Sequence, residues 1–151
     1  MEVSAKVDYA VRALLGLASR APELSTIDVV IGEQKLPRKF AEAILSDLRR
    51  ADIVRSQRGA NGGYALARPA DEIMLGSVFR AVDGRLAEVR GLRPDQTSYT
   101  GVAAHLPDVW VAVRASLRAV LDETSVAQVL SGDLPAHVQE LVGQPGAWLP
   151  R

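Results

Sequence analysis

Three glycines fall within five residues at Gly59-Ala60-Asn61-Gly62-Gly63, between two short stretches that alternate in character. Ile53-Val54-Arg55-Ser56-Gln57-Arg58 precedes them and Tyr64-Ala65-Leu66-Ala67 follows. Strand, glycine turn and strand predict a β-hairpin. That hairpin is the β element the sequence announces most clearly. The rest of the chain reads as helix or loop, so the expected fold is mainly α with one small β-hairpin.

Three helices are expected ahead of the hairpin. Ser4 is the N-cap of the first, whose apolar positions Val7, Ala10, Val11, Leu14, Leu15 and Ala18 follow helical spacing, and Pro22 marks its end. Thr26 caps a short second helix with Ile27, Val30 and Ile31 inward. Lys35-Leu36 is the turn, and Pro37 takes the first position of a third helix, where its missing N–H costs nothing. That helix carries Phe40, Ala41, Ile44, Leu45 and Leu48 on one side and Arg38, Lys39, Glu42, Asp47, Arg49 and Arg50 on the others.

After the hairpin, residues 73–83 read as a helix (Leu75, Val78, Phe79, Val82) stopped by Gly84. Residues 84–105 lack periodicity and are expected to form a long loop. A second long helix runs from 107 to about 123 on a stripe of Val109, Trp110, Val113, Leu117, Val120 and Leu121. A short helix over 125–130 ends at Gly132. The tail, with Pro135, Pro145 and Pro150, is expected to drape or fray apart from a weak helical stretch over 137–142. The expected organisation is a domain over 1–84, a loop over 85–105, a helical segment over 106–131 and a tail over 132–151.

A chain of 151 residues buries roughly 70% of its unfolded surface and needs no disulfide or metal staple. It has no cysteine, which excludes a disulfide scaffold, a cysteine zinc site and a cysteine nucleophile together. No apolar run reaches the ~20 residues of a membrane span, and the charged start of the chain is unlike a signal peptide. A soluble, cytoplasmic protein with no membrane partner is expected. No convergent carboxylate pair, nucleophile–His–acid set or phosphate loop is present, so an enzyme is not expected.

The formal net charge of zero hides an asymmetry. Residues 35–68 hold eight basic and three acidic side chains, a local charge of +5, while the flanking segments are mildly acidic. This is either a polyanion-binding surface or a solvated, salt-bridged face. Helix order decides in favour of the first. Three helices followed by a glycine-tipped hairpin is the chain order of a winged helix-turn-helix, whose third helix presents its start to base edges in a DNA major groove. Arg38 and Lys39 can donate there to guanine or phosphate, and Glu42 can accept from cytosine. Arg58 at the hairpin tip can enter a narrow minor groove. By itself the glycine turn is an ordinary hairpin.

The sequence resembles the Rrf2 family of bacterial transcription regulators. The resemblance rests on Ser4-Ala5-Lys6-Val7-Asp8-Tyr9-Ala10-Val11-Arg12-Ala13-Leu14, on Pro37-Arg38-Lys39-Phe40 and on the stretch from Ile44 to Val54. It is most specific in Ser56-Gln57-Arg58-Gly59-Ala60-Asn61-Gly62-Gly63-Tyr64. It implies a homodimer in which the long second helix crosses its partner's copy and two wings bind a palindromic operator on double-stranded DNA. It places Arg58 as the wing arginine, with Gly59, Asn61 and Gly62 beside it, and Arg38, Lys39, Phe40 and Glu42 on the recognition helix. Lys6 and Tyr9 fall on the first helix near the phosphate backbone. Thr26, Arg49, Arg50 and Arg55 complete the expected DNA contacts. Phe40 reads first as a core residue.

Many family members hold an iron–sulfur cluster on cysteines in the loop before the dimer helix. Here that loop has none, and such clusters need thiolate ligands. The first-helix positions that serve some members as partial ligands look like Asp8 and Arg12, and an arginine cannot ligate a metal. No cluster, cofactor or metal is expected. His105 and His137 read as surface or locally satisfied residues. Tyr99, Trp110 and Trp148 read as core or dimer packing; alternatively Tyr99, His105 and Trp110 wall a pocket for a small-molecule effector. The expected function is a dimeric, sequence-specific regulator, a repressor, without a cluster. The alternative is a winged-helix module that binds protein in a larger complex.

Overall fold

The computed structural model describes residues 3–150. Helix α1 (Ala5–Ala18) begins where the Ser4 side chain accepts a hydrogen bond from the Val7 amide. Helix α2 (Ile27–Gln34) is capped by Thr26 in the same way, through the Val29 amide, and ends on Lys35 in the left-handed region. Helix α3 spans Arg38–Arg50. Pro37 stands one place earlier than expected: its φ of −65° suits a helix, but its ψ of 126° is extended, which makes it the cap. Its carbonyl accepts from the Phe40 and Ala41 amides, both at 3.0 Å.

Strands β1 (Val54–Gln57) and β2 (Gly63–Leu66) form the antiparallel hairpin, with Val54 opposite Leu66 and Gln57 opposite Gly63. Ile53, expected at the start of the strand, is buried and donates its amide to the Leu48 carbonyl, closing the end of α3 instead. The hairpin is tied to the helices by one more pairing. Ser25 and Tyr64 exchange both backbone hydrogen bonds at 2.8 Å, so the segment entering α2 lies beside β2.

Helix α4 (Leu75–Val82) follows, then the long irregular segment, in which two short 3-10 turns form at Pro94–Gln96 and Gly101–Ala103. Helix α5 (Leu106–Leu121) is the longest and contains no fully buried residue. Helix α6 (Val126–Ser131) is closed at its start by a reciprocal pair between Ser125 and Gln128 and at its end by Gly132. Helix α7 (Ala136–Val142) is the weak stretch expected in the tail.

The core is built around α1, which packs on α2, α3, α4, α6 and β2. Leu14, Leu17, Ile44, Leu45, Leu48, Ile53, Ile73, Val78 and Val126 are among its largest buried side chains. Each contributes about 1.5–3 kcal/mol by leaving water. Val126 brings α6 into the same core: its amide donates to the Ile73 carbonyl, and Leu75 donates to Thr124. The chain therefore leaves the N-terminal bundle through α5 and returns to it. No described helix is long and apolar enough to cross a membrane.

Candidate nucleic-acid interface

Burying Ala41, Ile44, Leu45 and Leu48 fixes the rotation of α3, so its charged residues other than Asp47 face outward. Arg38, Lys39, Glu42, Arg49 and Arg50 are all exposed. Phe40 does not join the core as expected; it is 52% exposed and meets the Tyr9 ring edge-on, 6.1 Å between centroids. The apolar stripe already fills the groove against α1, and Phe40 lies one position outside it. Tyr9 is half-buried, with the Arg12 guanidinium 5.6 Å from its ring.

The start of α3 is joined to the start of α2 by an ion pair from Arg38 to Asp28, with Glu42 3.7 Å from the other Arg38 nitrogen. The start of α2 is in turn joined to the wing. A cleft of about 300 Å³ is lined by Thr26 and Ile27 from α2's beginning, Arg49 from α3, and Ser56, Arg58 and Gly59 from the hairpin. Arg49 donates to Ser56 Oγ at 3.2 Å across it. Two glycines make this possible. Gly59 turns the tip at a φ of +109°, in the left-handed region. At Gly63 a Cβ would lie 2.6 Å from the Ser25 carbonyl oxygen, which would break the pairing that seats the wing.

Among the described residues, Lys39, Arg49, Arg55 and Arg58 form no ion pair with a carboxylate. Arg50 pairs with Asp47 yet stays exposed. Lys6 is paired within the protomer. Its ammonium lies 2.7 Å from Asp47 Oδ2 and donates to the Val82 carbonyl at 2.7 Å, tying α1 to the ends of α3 and α4. The hydrogen bond from Lys6 holds the largely buried Asp47 carboxyl below the usual range against the opposing effect of burial, with Arg50 adding to it.

The pattern of known sequences bears directly on this face. The Rrf2 family model, described as an iron-dependent transcriptional regulator, matches residues 3–132. The chain belongs to the Rrf2 family. A Mycobacterium tuberculosis protein described provisionally as an HTH-type transcriptional regulator, Rv1287, is 46% identical over 93% of this chain and 88% of its own. The HTH-type transcriptional regulator CymR of Bacillus subtilis is 28% identical over 87% of this chain and 91% of its own. The solved structure of that CymR, titled the global cysteine regulator of B. subtilis, superposes with a TM-score of 0.74 at 26% identity, covering 87% of this chain and 98% of the other. The IscR of T. potens gives 0.71 at 27% identity over 99% and 97%. The chain has the Rrf2 winged-helix fold and is a DNA-binding transcriptional regulator, in a family of regulators rather than enzymes.

The donors present do not fit the iron–sulfur cluster that the Rrf2 description suggests. The chain has no cysteine, and no group of three metal-ligating side chains occurs among the described residues. Arg12 is committed to structure: it bonds Asp8 and the Gln34 carbonyl, linking α1 to the end of α2. His137 is locally satisfied, with its Nε2 2.8 Å from the Ala119 carbonyl.

The expected effector residues separate. Trp110 is half-buried and lines a cleft of about 580 Å³ with Val89, Arg90, Pro94 and Val113. Tyr99 does not line that cleft; it stands beside Arg90, whose guanidinium is 5.4 Å from its ring. The His105 side chain is 98% exposed and pairs only with Asp108 at 3.7 Å, so it walls no pocket: it stands at the outer start of α5. Trp148, expected in core or dimer packing, is outside the protomer's core, 80% exposed on the tail. Sequence reasoning missed Ser25, Asp28 and Asp47, which seat the wing, Arg38 and Lys6 respectively. Only Asp47 left a signal, its position three residues before Arg50.

Proposed function

We propose that this protein is a homodimeric, sequence-specific repressor that binds a palindromic operator and works without an iron–sulfur cluster. The observation that carries the reading is the cleft that gathers Thr26, Arg49, Arg58 and Gly59 from three separate stretches of chain, its two arginines having no carboxylate partner among the described residues. In it, Arg38, Lys39 and Glu42 read base edges from the start of α3, with Tyr9 alongside. Arg58, framed by Gly59, Asn61 and Gly62, enters the minor groove, and Thr26, Arg49, Arg50 and Arg55 contact phosphates. Lys6, which also ties α1 to α3, stands with them near the phosphate backbone.

The dimer rests on α5. Val109 is 52% exposed and Val113 is exposed beside it, while Trp110, Leu117, Val120 and Leu121 are half-buried within the protomer. A second α5 crossing there would cover the first pair and complete the burial of the others. Two third helices then stand roughly 34 Å apart, one turn of duplex. The N-terminal domain over 1–84 is the DNA-binding head, 85–105 the loop, 106–131 the segment carrying the dimer helix, and 132–151 the tail. A small-molecule effector would shift the balance between binding-competent and incompetent dimers by tilting the heads against α5. The lack of a cysteine supports a cluster-free mechanism, and the protein acts in the cytoplasm on the nucleoid.

Selection of bound sequences from a random DNA pool tests this. A two-fold symmetric consensus is expected; enrichment of no sequence, or of an asymmetric one, contradicts it.

A further inference from the structure

Two clefts meet at Ala87, where the DNA-binding head joins α5. The smaller, about 310 Å³, is ringed by Arg80 of α4, Arg85 and Arg93 of the connecting segment, and Arg114 and Arg118 of α5, with Asp122 beside them. The larger is the apolar cleft of Trp110, Val113, Val89 and Pro94.

The five arginines are incompletely neutralised. Arg80 and Arg118 share Asp122, Arg93 and Arg114 share Asp95, and Arg85 lies 3.5 Å from Glu88. Five cations thus face three carboxylates, leaving an excess of two positive charges on one small concavity. Burial works against the charge on Asp122 and Asp95. Hydrogen bonds from Arg80 and Arg118 still hold the first below the usual carboxylate range; the second is held there by its own backbone and by Arg93 and Arg114. The carboxylates therefore remain ionised and orient the guanidinium forks. In the adjoining cleft, the Trp110 indole nitrogen is buried without a hydrogen-bond partner. A buried donor left unpaired is costly, so Trp110 is incompletely satisfied within the single protomer.

We propose that these joined clefts bind a small organic anion, its doubly charged phosphate or dicarboxylate head on the arginines and its apolar body against Val89, Pro94 and the edge of Trp110. Planar, forked guanidinium groups suit such a head. The ligand touches α4 and α5 at once, so it fixes the angle between head and dimer helix. That consequence rests on the regulator reading proposed above; the binding site does not.

The test uses the full chain with Trp148→Phe, which leaves Trp110 as its only tryptophan. Phenyl phosphate is titrated and Trp110 fluorescence followed, with inorganic phosphate and phenol as comparison probes. A saturable change is expected at a Kd between about 1 μM and 1 mM. Inorganic phosphate should compete more weakly and phenol should not saturate. Arg85→Gln with Arg93→Gln, both at exposed positions, should weaken binding by about tenfold or more while leaving the melting temperature of the free protein unchanged. Absence of saturation by roughly 10 mM overturns the proposal. So does equal affinity in the double variant, or equal binding of phenol. A change produced by duplex DNA and not by phenyl phosphate also overturns it, because the arginines then belong to the DNA surface. The titration contains no DNA, so its failure leaves the regulator reading intact. With a selected operator added, phenyl phosphate should shift DNA affinity by roughly 5-fold or more; binding of the probe without any such shift would contradict the regulatory role alone.

Discussion

Asp47 is the residue on which three helices are joined: Lys6 of α1 and Arg50 of α3 both reach it, and Lys6 also holds the end of α4 through Val82. Its carboxyl is held below its ordinary value, chiefly by the Lys6 hydrogen bond. A depressed carboxyl contributes stability that is fully present above the unfolded pKa of about 3.9 and is lost as pH falls through the lower folded value. Asp47→Asn should cost about 1–3 kcal/mol near neutral pH, since it leaves Lys6 without its carboxylate. It should also flatten the acid limb of a denaturation series below roughly pH 4. An unchanged acid limb means that Asp47 is not the linked group. Lys6 shows what single residues conceal. Its charge and place on α1 were legible, but its partner, 41 residues away, was not. Phe40 is the complementary case: its spacing matched the buried stripe, yet which flank of a stripe is covered depends on the neighbouring helix.

At the scale of elements, the hairpin was the most legible feature, because glycines at a tip and alternation on both sides admit few other structures. Its anchorage was not legible: Ser25 pairs with Tyr64 from a segment with no strand signal of its own. Gly63→Ala should loosen that anchorage, costing about 1 kcal/mol or more of stability and weakening DNA binding with it. Amide exchange at Tyr64 reads this directly; protection equal to the parent's would contradict it. Helix α5 was legible as an amphipathic helix, although its single predicted stripe divides into Val109 and Val113 outside and Trp110 and Leu121 half covered. Val109→Asp with Val113→Asp should produce a folded monomer, because two charges cannot be buried unpaired at a helix crossing. Sedimentation of an unaltered dimer would remove α5 from the interface.

For the molecule as a whole, balanced total charge and a basic middle coexist, and the fold gathers two of that middle's arginines, Arg49 and Arg58, against the start of α2, while Arg55 and Arg68 line a separate cleft beside Pro22 and Pro69. The start of α3, the start of α2 and the wing are linked by Arg38 with Asp28 and by the cleft around Arg49 and Arg58. Residue order fixed none of these neighbours; the chain order of helices and hairpin, together with the family resemblance, implied them. The most direct test of that convergence is an anisotropy titration of the selected operator over a series of salt concentrations, with the parent chain and Arg58→Ala. The account predicts affinity that falls steeply with salt on a double-logarithmic plot, and a loss of about 1–3 kcal/mol in the variant at fixed salt. Affinity indifferent to salt and unchanged by the loss of Arg58 would contradict it.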